Sequence, residues 1–330
     1  MRRLIYIFII GLLLCSYTWA DGSRYASKSL LSEGKWVKIR VDKTGIYKLS
    51  YADLKNMGFS DPSKVSVHGY GGWPLDEDFS KEYIDDVPST PVWRGRDYLL
   101  FYGKGPVKWE YDSSSQTFVH TNNPYSLYGY YFVTDATPTN DMTSVAQASG
   151  ATNRITTYDD YLVHEQELVS LAKSGRELYG EDFSGATPRT LSTFSSIPGI
   201  TNEDAKVTMS FVSKVTSGTG VASLSINQSN VLDVSIRSNR EEYVKALEGV
   251  STAVWKGEKS EKNSVVVSYN SASHNNVRLN YVRLHFKRTL QPYGAYTFFR
   301  SIASIGNVSR FVVQGANANT LVFDVTDAQR

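Results

Sequence analysis

The stretch Val207-Thr208-Met209-Ser210-Phe211 decides the fold, because apolar and polar side chains alternate along it. A period of two places one face of a β-strand in a core and leaves the other face polar. The same alternation recurs at Ala222/Leu224/Ile226, Val265/Val267/Tyr269, Val282/Leu284/Phe286 and Leu321/Phe323/Val325. Regular strands separated by polar turns predict an antiparallel β-sandwich that begins near Ser195.

The residues before Ser195 predict a second β-rich domain that carries a short helix. Residues 35–41 alternate as a strand, and residues 46–49 are predicted to return after a turn as the second strand of a hairpin. The Ser50 hydroxyl can accept a free backbone N–H, so we expect a short helix from Tyr51 to Met57.

The middle of the chain is less regular. Strands are predicted at residues 65–67, 98–102 and 130–133. The stretch 135–153 is rich in Thr, Ala, Ser and Asn and predicts an exposed loop. Residues 158–173 are the best helical candidate of this region.

Length and composition agree with two β-rich domains. The 330 residues predict about two domains, which we place at 21–195 and 196–330. The fold class is mainly β, with one or two short helices in the first domain and an antiparallel β-sandwich as the second. Hydrophobic residues make up 41% of the chain and charged residues 21%, which excludes a disordered or collagen-like protein.

The first twenty residues are typical of a secretory signal peptide, with cleavage after Ala20. Two arginines precede the apolar stretch Leu4–Cys15. That stretch is too short for a retained transmembrane helix, which needs roughly 20 apolar residues. Lipid attachment at Cys15 is the minor alternative, because Leu14 stands where a lipoprotein signal has a small residue.

Removal of this signal leaves neither a cysteine nor a net charge. Cys15 is the only cysteine, so the mature chain offers no disulfide, thiolate metal site or cysteine nucleophile. Without the two N-terminal arginines, 33 basic residues stand against 33 acidic ones, which argues against nucleic-acid binding. No other apolar run is long enough to cross a membrane.

The histidines do not form a metal-binding pattern. The sequence His164-Glu165-Gln166-Glu167-Leu168 begins like the zinc-protease motif His-Glu-x-x-His, but Leu168 stands where the second histidine is needed. His164 is therefore interpreted as a packing or surface residue, and His285 is expected on the exposed face of its strand. Ligand spacing is lacking among all five histidines: His68, His120, His164, His274 and His285.

The remaining motifs are interpreted as turns and solvated loops. Gly69-x-Gly71-Gly72 and Gly103-x-Gly105 lack the Lys-Ser/Thr of a phosphate loop. The acidic residues 76–78 and 85–86 could hold calcium, but a solvated loop is favoured because the ligands do not alternate. No Gly-x-Ser-x-Gly elbow is present. We therefore assign no catalytic, cofactor-binding or metal-ligating residue.

Several stretches together carry a family resemblance. They are residues 34–41 (GKWVKIRV) with 44–49 (TGIYKL), 96–103 (RDYLLFYG), Phe118-x-His120-x-Asn122-x-x-Tyr125-Ser126 with 130–134 (YYFVT), 175–183 (GRELYGEDF), 277–300 and 322–327 (VFDVTD). This combination resembles the non-catalytic N-terminal region of type IX secretion system sortases, which are gingipain-like cysteine peptidases of Bacteroidetes. The resemblance spans nearly the whole mature chain, with Leu178 where a tryptophan is expected.

The resemblance implies a parent that is secreted across the inner membrane and works in the periplasm or at the outer-membrane cell surface. That parent would remove the C-terminal sorting domain of cargo and join the new end to an anionic lipopolysaccharide. Its chemistry would be thiolate attack with a histidine as proton shuttle. The peptidase domain that carries this Cys and His follows the resembled region, so the present chain is not expected to be an enzyme by itself.

The resemblance implies three partners, which the sequence does not distinguish. The β domains would position the C-terminal peptidase domain, contact an outer-membrane barrel protein, or receive secreted cargo. The alternation at 321–325 precedes a short polar tail and predicts an exposed apolar patch near Phe323 that the peptidase domain would cover.

A secreted glycan-binding or adhesin-like β-sandwich module is the alternative function. Exposed aromatic rings stack on sugars, and a solvent-facing coplanar row of three would favour this alternative. The default interpretation of each ring is core or hairpin packing. Five tryptophans are in the mature chain: Trp36, Trp73, Trp93, Trp109 and Trp255.

Overall fold

The computed structural model describes residues 25–78, 80–81, 84–173, 175–271 and 275–328. The predicted signal peptide with Cys15, its cleavage site after Ala20, and His274 lie outside these residues. The fold is mainly β, with 43% strand and 6% helix. Within the described residues no helix has the length and apolar character needed to cross a membrane.

The described strands are, in chain order, β1 (Val37–Val41), β2 (Gly45–Ser50), β3 (Ser66–Gly71), β4 (Ser89–Thr90), β5 (Val92–Arg94), β6 (Tyr98–Gly103), β7 (Val107–Asp112), β8 (Thr117–Asn122), β9 (Gly129–Thr134), β10 (Asn153–Ile155), β11 (Thr157–Glu165), β12 (Arg189–Thr190), β13 (Ala205–Lys214), β14 (Thr219–Ile226), β15 (Ser229–Arg237), β16 (Leu247–Trp255), β17 (Val265–Asn270), β18 (Asn275–Thr289) and β19 (Ser309–Phe311). The described helices are α1 (Tyr51–Asn56) and the 3₁₀ turns Leu30–Ser32, Pro62–Lys64, Ser192–Phe194 and Ile302–Ser304.

The chain folds into two compact units whose boundaries differ from the predicted one. The first unit comprises the described residues of Met1–Val107, Ser126–Thr143 and Asp324–Arg330, and the second comprises Lys108–Tyr125 and Ser144–Phe323. The boundary predicted near Ser195 falls inside the second unit and is corrected here. Strand β11 precedes Ser195 and pairs along its whole length with β18, which follows it, so a cut at Ser195 would divide one sheet.

The second unit contains the predicted antiparallel sandwich. Its two four-stranded sheets have the orders β11-β18-β13-β16 and β12-β17-β14-β15. Both sheets contribute apolar side chains to one core, in which Met209, Phe211 and Leu224 are fully buried. Four of the five alternating stretches predicted from the sequence lie in this core, so the period-two pattern did identify its strands.

Two predictions for this unit are wrong. Residues 157–165 form strand β11 instead of part of a helix over 158–173. Asp160 and His164 share a strand face with the apolar Leu162, and this mixture hides the alternation in the sequence. Residues 321–325 form no strand among the described residues, and Leu321 and Val322 are exposed, because alternation without a neighbouring strand does not make a ladder.

The first unit packs the sheets β1-β9-β3-β4 and β2-β6-β5 around a second apolar core. Helix α1 begins as predicted after Ser50, whose hydroxyl accepts the Asp53 N–H at 3.0 Å. Gly58 follows the helix with a φ of +88°, a conformation that costs other residues more. Leu54 of α1 is fully buried in this core.

The predicted pairing of β1 with β2 is wrong, although both strands exist. β1 pairs with β9 and β2 pairs with β6, so the chain passes from one sheet to the other between them. The Tyr47 hydroxyl donates to the Lys43 carbonyl oxygen at 2.8 Å and holds this corner. A turn between two alternating stretches therefore marks a change of sheet here and not a hairpin.

Candidate functional site

A buried, hydrogen-bonded polar region of the second unit lies on the outer face of the sheet β11-β18-β13-β16. Alternation on β18 places Tyr281, Arg283, His285 and Lys287 on this face, opposite the core residues of the same strand. Contrary to the expectation of an exposed face, Arg283 is only 7% exposed and His285 only 9%. We call this outer face, together with the strands β7 and β8 that pack on it, the hairpin dock.

Aromatic rings form the contact between hairpin and sheet. Trp109 of β7 stacks on Tyr161 of β11 with 3.8 Å between ring centroids and 16° between planes. Phe118 of β8 meets the His285 ring edge-on at 5.4 Å. The Arg300 guanidinium lies 4.4 Å from the centre of the Tyr161 ring. Large flat side chains therefore exclude water from the charges beneath them.

His120 lies between an acid and a base at the centre of the dock. Its Nε2 is 2.7 Å from Glu165 Oε2, and its Nδ1 is 3.3 Å from Arg283 Nη1. A guanidinium can only donate, so Nδ1 accepts and Nε2 carries the hydrogen that is donated to Glu165. The ring also meets Tyr281 edge-on at 4.9 Å. One side chain of the hairpin is thus bonded to two strands of the sheet.

A buried carboxylate fixes the other end of the dock. Asp159 is 1% exposed, and its Oδ1 lies 2.8 Å from Lys287 Nζ and 3.0 Å from His285 Nε2. Its Oδ2 accepts the backbone N–H of Ile302 at 2.7 Å. Burial opposes the charged form, but the hydrogen bonds from His285 and Lys287 hold the pKa of Asp159 below its ordinary value.

Lys206 of β13 holds the tip of the hairpin. Lys206 Nζ donates to the carbonyl oxygens of Ser115 at 2.6 Å and Gln116 at 3.2 Å. These bonds are to backbone atoms, so they depend on the position of the turn and not on which side chains it carries. The hairpin is therefore anchored at its base, its middle and its tip.

His164 is bonded at the edge of the same sheet. Its Nε2 lies 2.6 Å from Glu181 Oε1, and its Nδ1 lies 2.8 Å from Thr193 Oγ1. His164 is 8% exposed, which agrees with the interpretation as a packing residue. Burial opposes the charged form of Glu181, yet the hydrogen bond from His164 holds the pKa of that carboxyl below its ordinary value.

The histidine of the first unit is also enclosed. His68 is 3% exposed, with Nδ1 3.2 Å from the Val87 carbonyl oxygen and Nε2 2.8 Å from Thr137 Oγ1. Because the carbonyl can only accept, Nδ1 carries the hydrogen and Nε2 accepts from the Thr137 hydroxyl. Burial lowers the pKa of His68.

The glycine motifs serve close backbone packing in the first unit. A side chain on Gly71 would come within 2.7 Å of Lys104, and one on Gly105 would come within 2.4 Å of Lys43. The Gly72 N–H donates to the Lys104 carbonyl oxygen at 2.9 Å. Gly69 and Gly71 lie in β3 and Gly103 ends β6, so these glycines belong to strands instead of the predicted turns. They lie where segments meet so closely that only hydrogen fits.

The acidic loop of the first unit uses its carboxylates on backbone groups. Asp86 Oδ2 accepts the Leu30 N–H at 2.6 Å, and Asp85 accepts the Ala26 N–H. Asp76 Oδ1 accepts the Asp78 N–H at 3.0 Å. In the described residues no three His, Cys, Asp or Glu side chains are grouped for a metal.

The tryptophans do not form a row on the surface. None of the five is exposed, and Trp255 is buried at 4%. Each of the other four has a ring or cation against it: Trp36 with His68, Trp73 with Lys104, Trp93 with Tyr98 and Trp109 with Tyr161. The observation that would have favoured glycan binding is therefore not made.

The sequence analysis noted both His120 and His285 but did not predict that they lie close together. Phe118 and His120 belong to one of the resembling stretches, and Arg283 and His285 belong to another; the structure unites these stretches in the dock. The alternation of aromatic and histidine side chains in 118–122 was the available signal. The hydrogen bonds, ion pairs and ring contacts of this arrangement hold the hairpin in one position on the sheet.

This chain is similar to a solved structure. The crystal structure of dimeric latent PorU from Porphyromonas gingivalis matches with a TM-score of 0.82 and 33% sequence identity, over 89% of this chain and 28% of that chain. The chain thus has a PorU-like fold and spans under a third of that PorU chain.

Two further solved structures are only weakly similar to this chain. BuGH86wt in complex with neoagarooctaose covers 77% of this chain and 32% of its own, at 10% identity and a TM-score of 0.23. The infectious bursal disease virus Gx strain structure covers 81% and 76%, at 10% identity and a TM-score of 0.22. No protein-family model matches the sequence, and no curated protein matches it.

Proposed function

We propose that this chain, with its PorU-like fold, forms the N-terminal β domains of a type IX secretion sortase-like protein at the cell surface. Its role is to position a C-terminal cysteine peptidase/transpeptidase domain. The observation that carries this proposal is the match to PorU over 89% of this chain but 28% of that one. The matched part is a minority of a longer protein, as a non-catalytic region would be.

The hairpin dock supports a positioning role. A scaffold must keep its surfaces in fixed places, and the directional hydrogen bonds of a buried polar layer favour one arrangement more strictly than apolar contacts do, although Arg283 Nε is buried in this layer without a hydrogen-bond partner among the described residues. His120 and Asp159 each bond to more than one segment of the chain. These groups are used inside the fold, which suits structural support better than chemistry on a substrate.

We extend the proposal to partners. The chain by itself is not a peptidase; the parent supplies the thiolate and its histidine. Leu321 and Val322 are 45% and 65% exposed and would lie against the peptidase domain. An outer-membrane barrel protein and secreted cargo are the further partners. The matching PorU is dimeric, and we propose that this chain also self-associates.

A chimera tests the positioning role. This chain replaces the matching region of PorU, and removal of a cargo's C-terminal sorting domain is followed in cells lacking their own PorU. We expect processing by the chimera and reduced processing when it carries Trp109→Ala, with Trp109→Phe as the matched control. A chimera that reaches the surface folded yet leaves cargo unprocessed contradicts the proposal, as does thiol-inhibitor-sensitive cleavage of arginyl or lysyl peptides by the isolated chain.

A further inference from the structure

Strand β16 is an edge of its sheet, although β15 of the opposite sheet lies against its inner side, where a side chain on Gly249 would come within 2.6 Å of Val234. β16 runs for nine residues, Leu247–Trp255, and among the described residues it pairs with β13 alone. Natural edge strands are blunted by charges, prolines, shortness or a covering segment, because open backbone groups recruit other strands. From Gly249 to Trp255 this strand has no charge and no proline, and Val250 and Val254 are 55% and 43% exposed.

The other three edges of the sandwich are protected. Strand β11 carries Asp159 and Asp160, and the Asp159 N–H donates to the Arg300 carbonyl oxygen of a covering segment at 2.9 Å. Strand β12 has only two residues. Strand β15 exposes Asp233 and Arg237, and its pairing with β14 contains a register shift. Of the four described edges, β16 is the one that no charge, bulge or shortness blunts over residues 249–255.

The sequence of β16 is complementary to itself in one antiparallel register. A two-fold axis at Thr252 places Val250 of one copy opposite Val254 of the other and Thr252 opposite Thr252. The same register sets Glu248 opposite Lys256, and both are exposed. Cross-strand pairs of β-branched residues and of opposite charges stabilise antiparallel ladders. Both members of each pair lie on the solvent side of the strand.

We infer that two copies of this chain associate through β16, paired antiparallel about Thr252 to join their two four-stranded sheets into one of eight strands. This inference rests on the self-association proposed above and assigns it a surface. An isologous contact of this kind closes and does not propagate into fibres. A strand pair alone buries less than the roughly 1,600 Å² of a standard interface, so the dimer is expected to be weak.

Charge exchange tests the register. Sedimentation velocity of the mature chain over a range of concentrations should show a monomer–dimer equilibrium. Lys256→Glu sets two acids opposite each other twice per dimer and should raise the dissociation constant by about tenfold. Glu248→Lys should do the same, and the double exchange Glu248→Lys/Lys256→Glu should restore the dimer. Glu248 also accepts hydrogen bonds from Ser210 and Asn280. Each variant is therefore first shown to have the same urea unfolding transition as the wild type.

A cysteine on the axis gives a second readout. The mature chain has no cysteine of its own, so Thr252→Cys should form a disulfide-linked dimer under mild oxidation, and Ser235→Cys on β15 is the control that should not. Monomer at every concentration, a dimer indifferent to both charge variants, or no rescue by the double exchange overturns the inference. The PorU chimera is assayed separately, so that failure of the dimer leaves the positioning role standing.

Discussion

The inner face of the sheet β11-β18-β13-β16 and the part of its outer face that lies under the hairpin are both buried, but by different chemistry. On the inner face, residues such as Phe211 and Leu284 meet apolar side chains of the opposite sheet. On the outer face, Arg283 and His285 are buried beneath a hairpin, and Asp159 is buried beside them, bonded to the backbone of Ile302. The comparison teaches that a buried face need not be apolar when most of its polar groups find partners; Arg283 Nε is a buried atom of this face that has none among the described residues.

The two faces also do different work in the fold. Apolar burial is non-directional and rewards any close packing, whereas the bonds of His120 to Glu165 and Arg283 hold only when the hairpin and the strands are in register. We therefore expect the inner face to dominate stability and the outer face to dominate the placement of the hairpin.

The largest effect should come from the inner core. Phe211 is fully buried and packs against Phe183 and Tyr269, with ring centroids 5.3 and 5.4 Å away. Phe211→Ala removes this contact and leaves a cavity, so the free energy of unfolding in urea should fall by about 3–5 kcal/mol. Phe211→Leu is the control and should cost less than about 1.5 kcal/mol. Equal losses for both variants would mean that the core is not packed around this ring.

The next effect concerns the buried acid of the outer face. Asp159→Asn removes the charge that pairs with Lys287 and His285, and stability at pH 7 should fall by about 3 kcal/mol. Since the folded pKa of Asp159 lies below its ordinary value, the wild type holds this stability above about pH 4 and loses it as the pH falls through the folded pKa. The difference in free energy of unfolding between the wild type and Asp159→Asn should therefore shrink as the pH is lowered.

Urea unfolding of both proteins at a series of pH values between 7 and 3 measures this difference in free energy. The control is Asp233→Asn, which changes an exposed carboxylate of β15 that accepts a hydrogen bond from the Asn230 amide; its effect should stay within about 0.5 kcal/mol. A difference for Asp159→Asn that does not change with pH would contradict the ion-pair explanation.

A smaller effect is expected from the aromatic contact of the hairpin. Trp109→Ala removes the stack on Tyr161 and should cost about 2 kcal/mol while making the turn at 113–116 easier to cleave. Trp109→Phe retains a ring and should keep the turn protected from proteolytic cleavage. Limited proteolysis with mapping of the first cut checks this. If the first cut falls outside the hairpin in both variants, the stack does not anchor it.

The inner face could be predicted from the sequence, and the outer face could not. The alternation around Met209 and Phe211 predicts the core, because it depends only on one strand having one buried and one solvent-facing side. His285 was assigned to the polar side of its strand correctly, but its cover comes from a hairpin more than 150 residues earlier in the chain, and no local pattern records such a contact. Asp160 and His164 misled the prediction of β11 for a related reason: their partners, Arg288 and Glu181, are distant in sequence.

The smallest effect should come from the tip of the hairpin, where it separates placement from stability most sharply. Lys206→Met keeps the apolar stem but removes the donor to the Ser115 and Gln116 carbonyl oxygens. These carbonyls can turn to water once the lysine is gone, so the global free energy of unfolding should fall by only about 1 kcal/mol. Amide hydrogen exchange in the turn should nevertheless become faster, while exchange in β13 and β18 stays unchanged. Lys206→Arg retains a donor and should keep most of the protection. If Lys206→Met destabilises the protein as much as Phe211→Ala, the outer face contributes to global stability on the scale of the core, and the division of roles between the two faces fails.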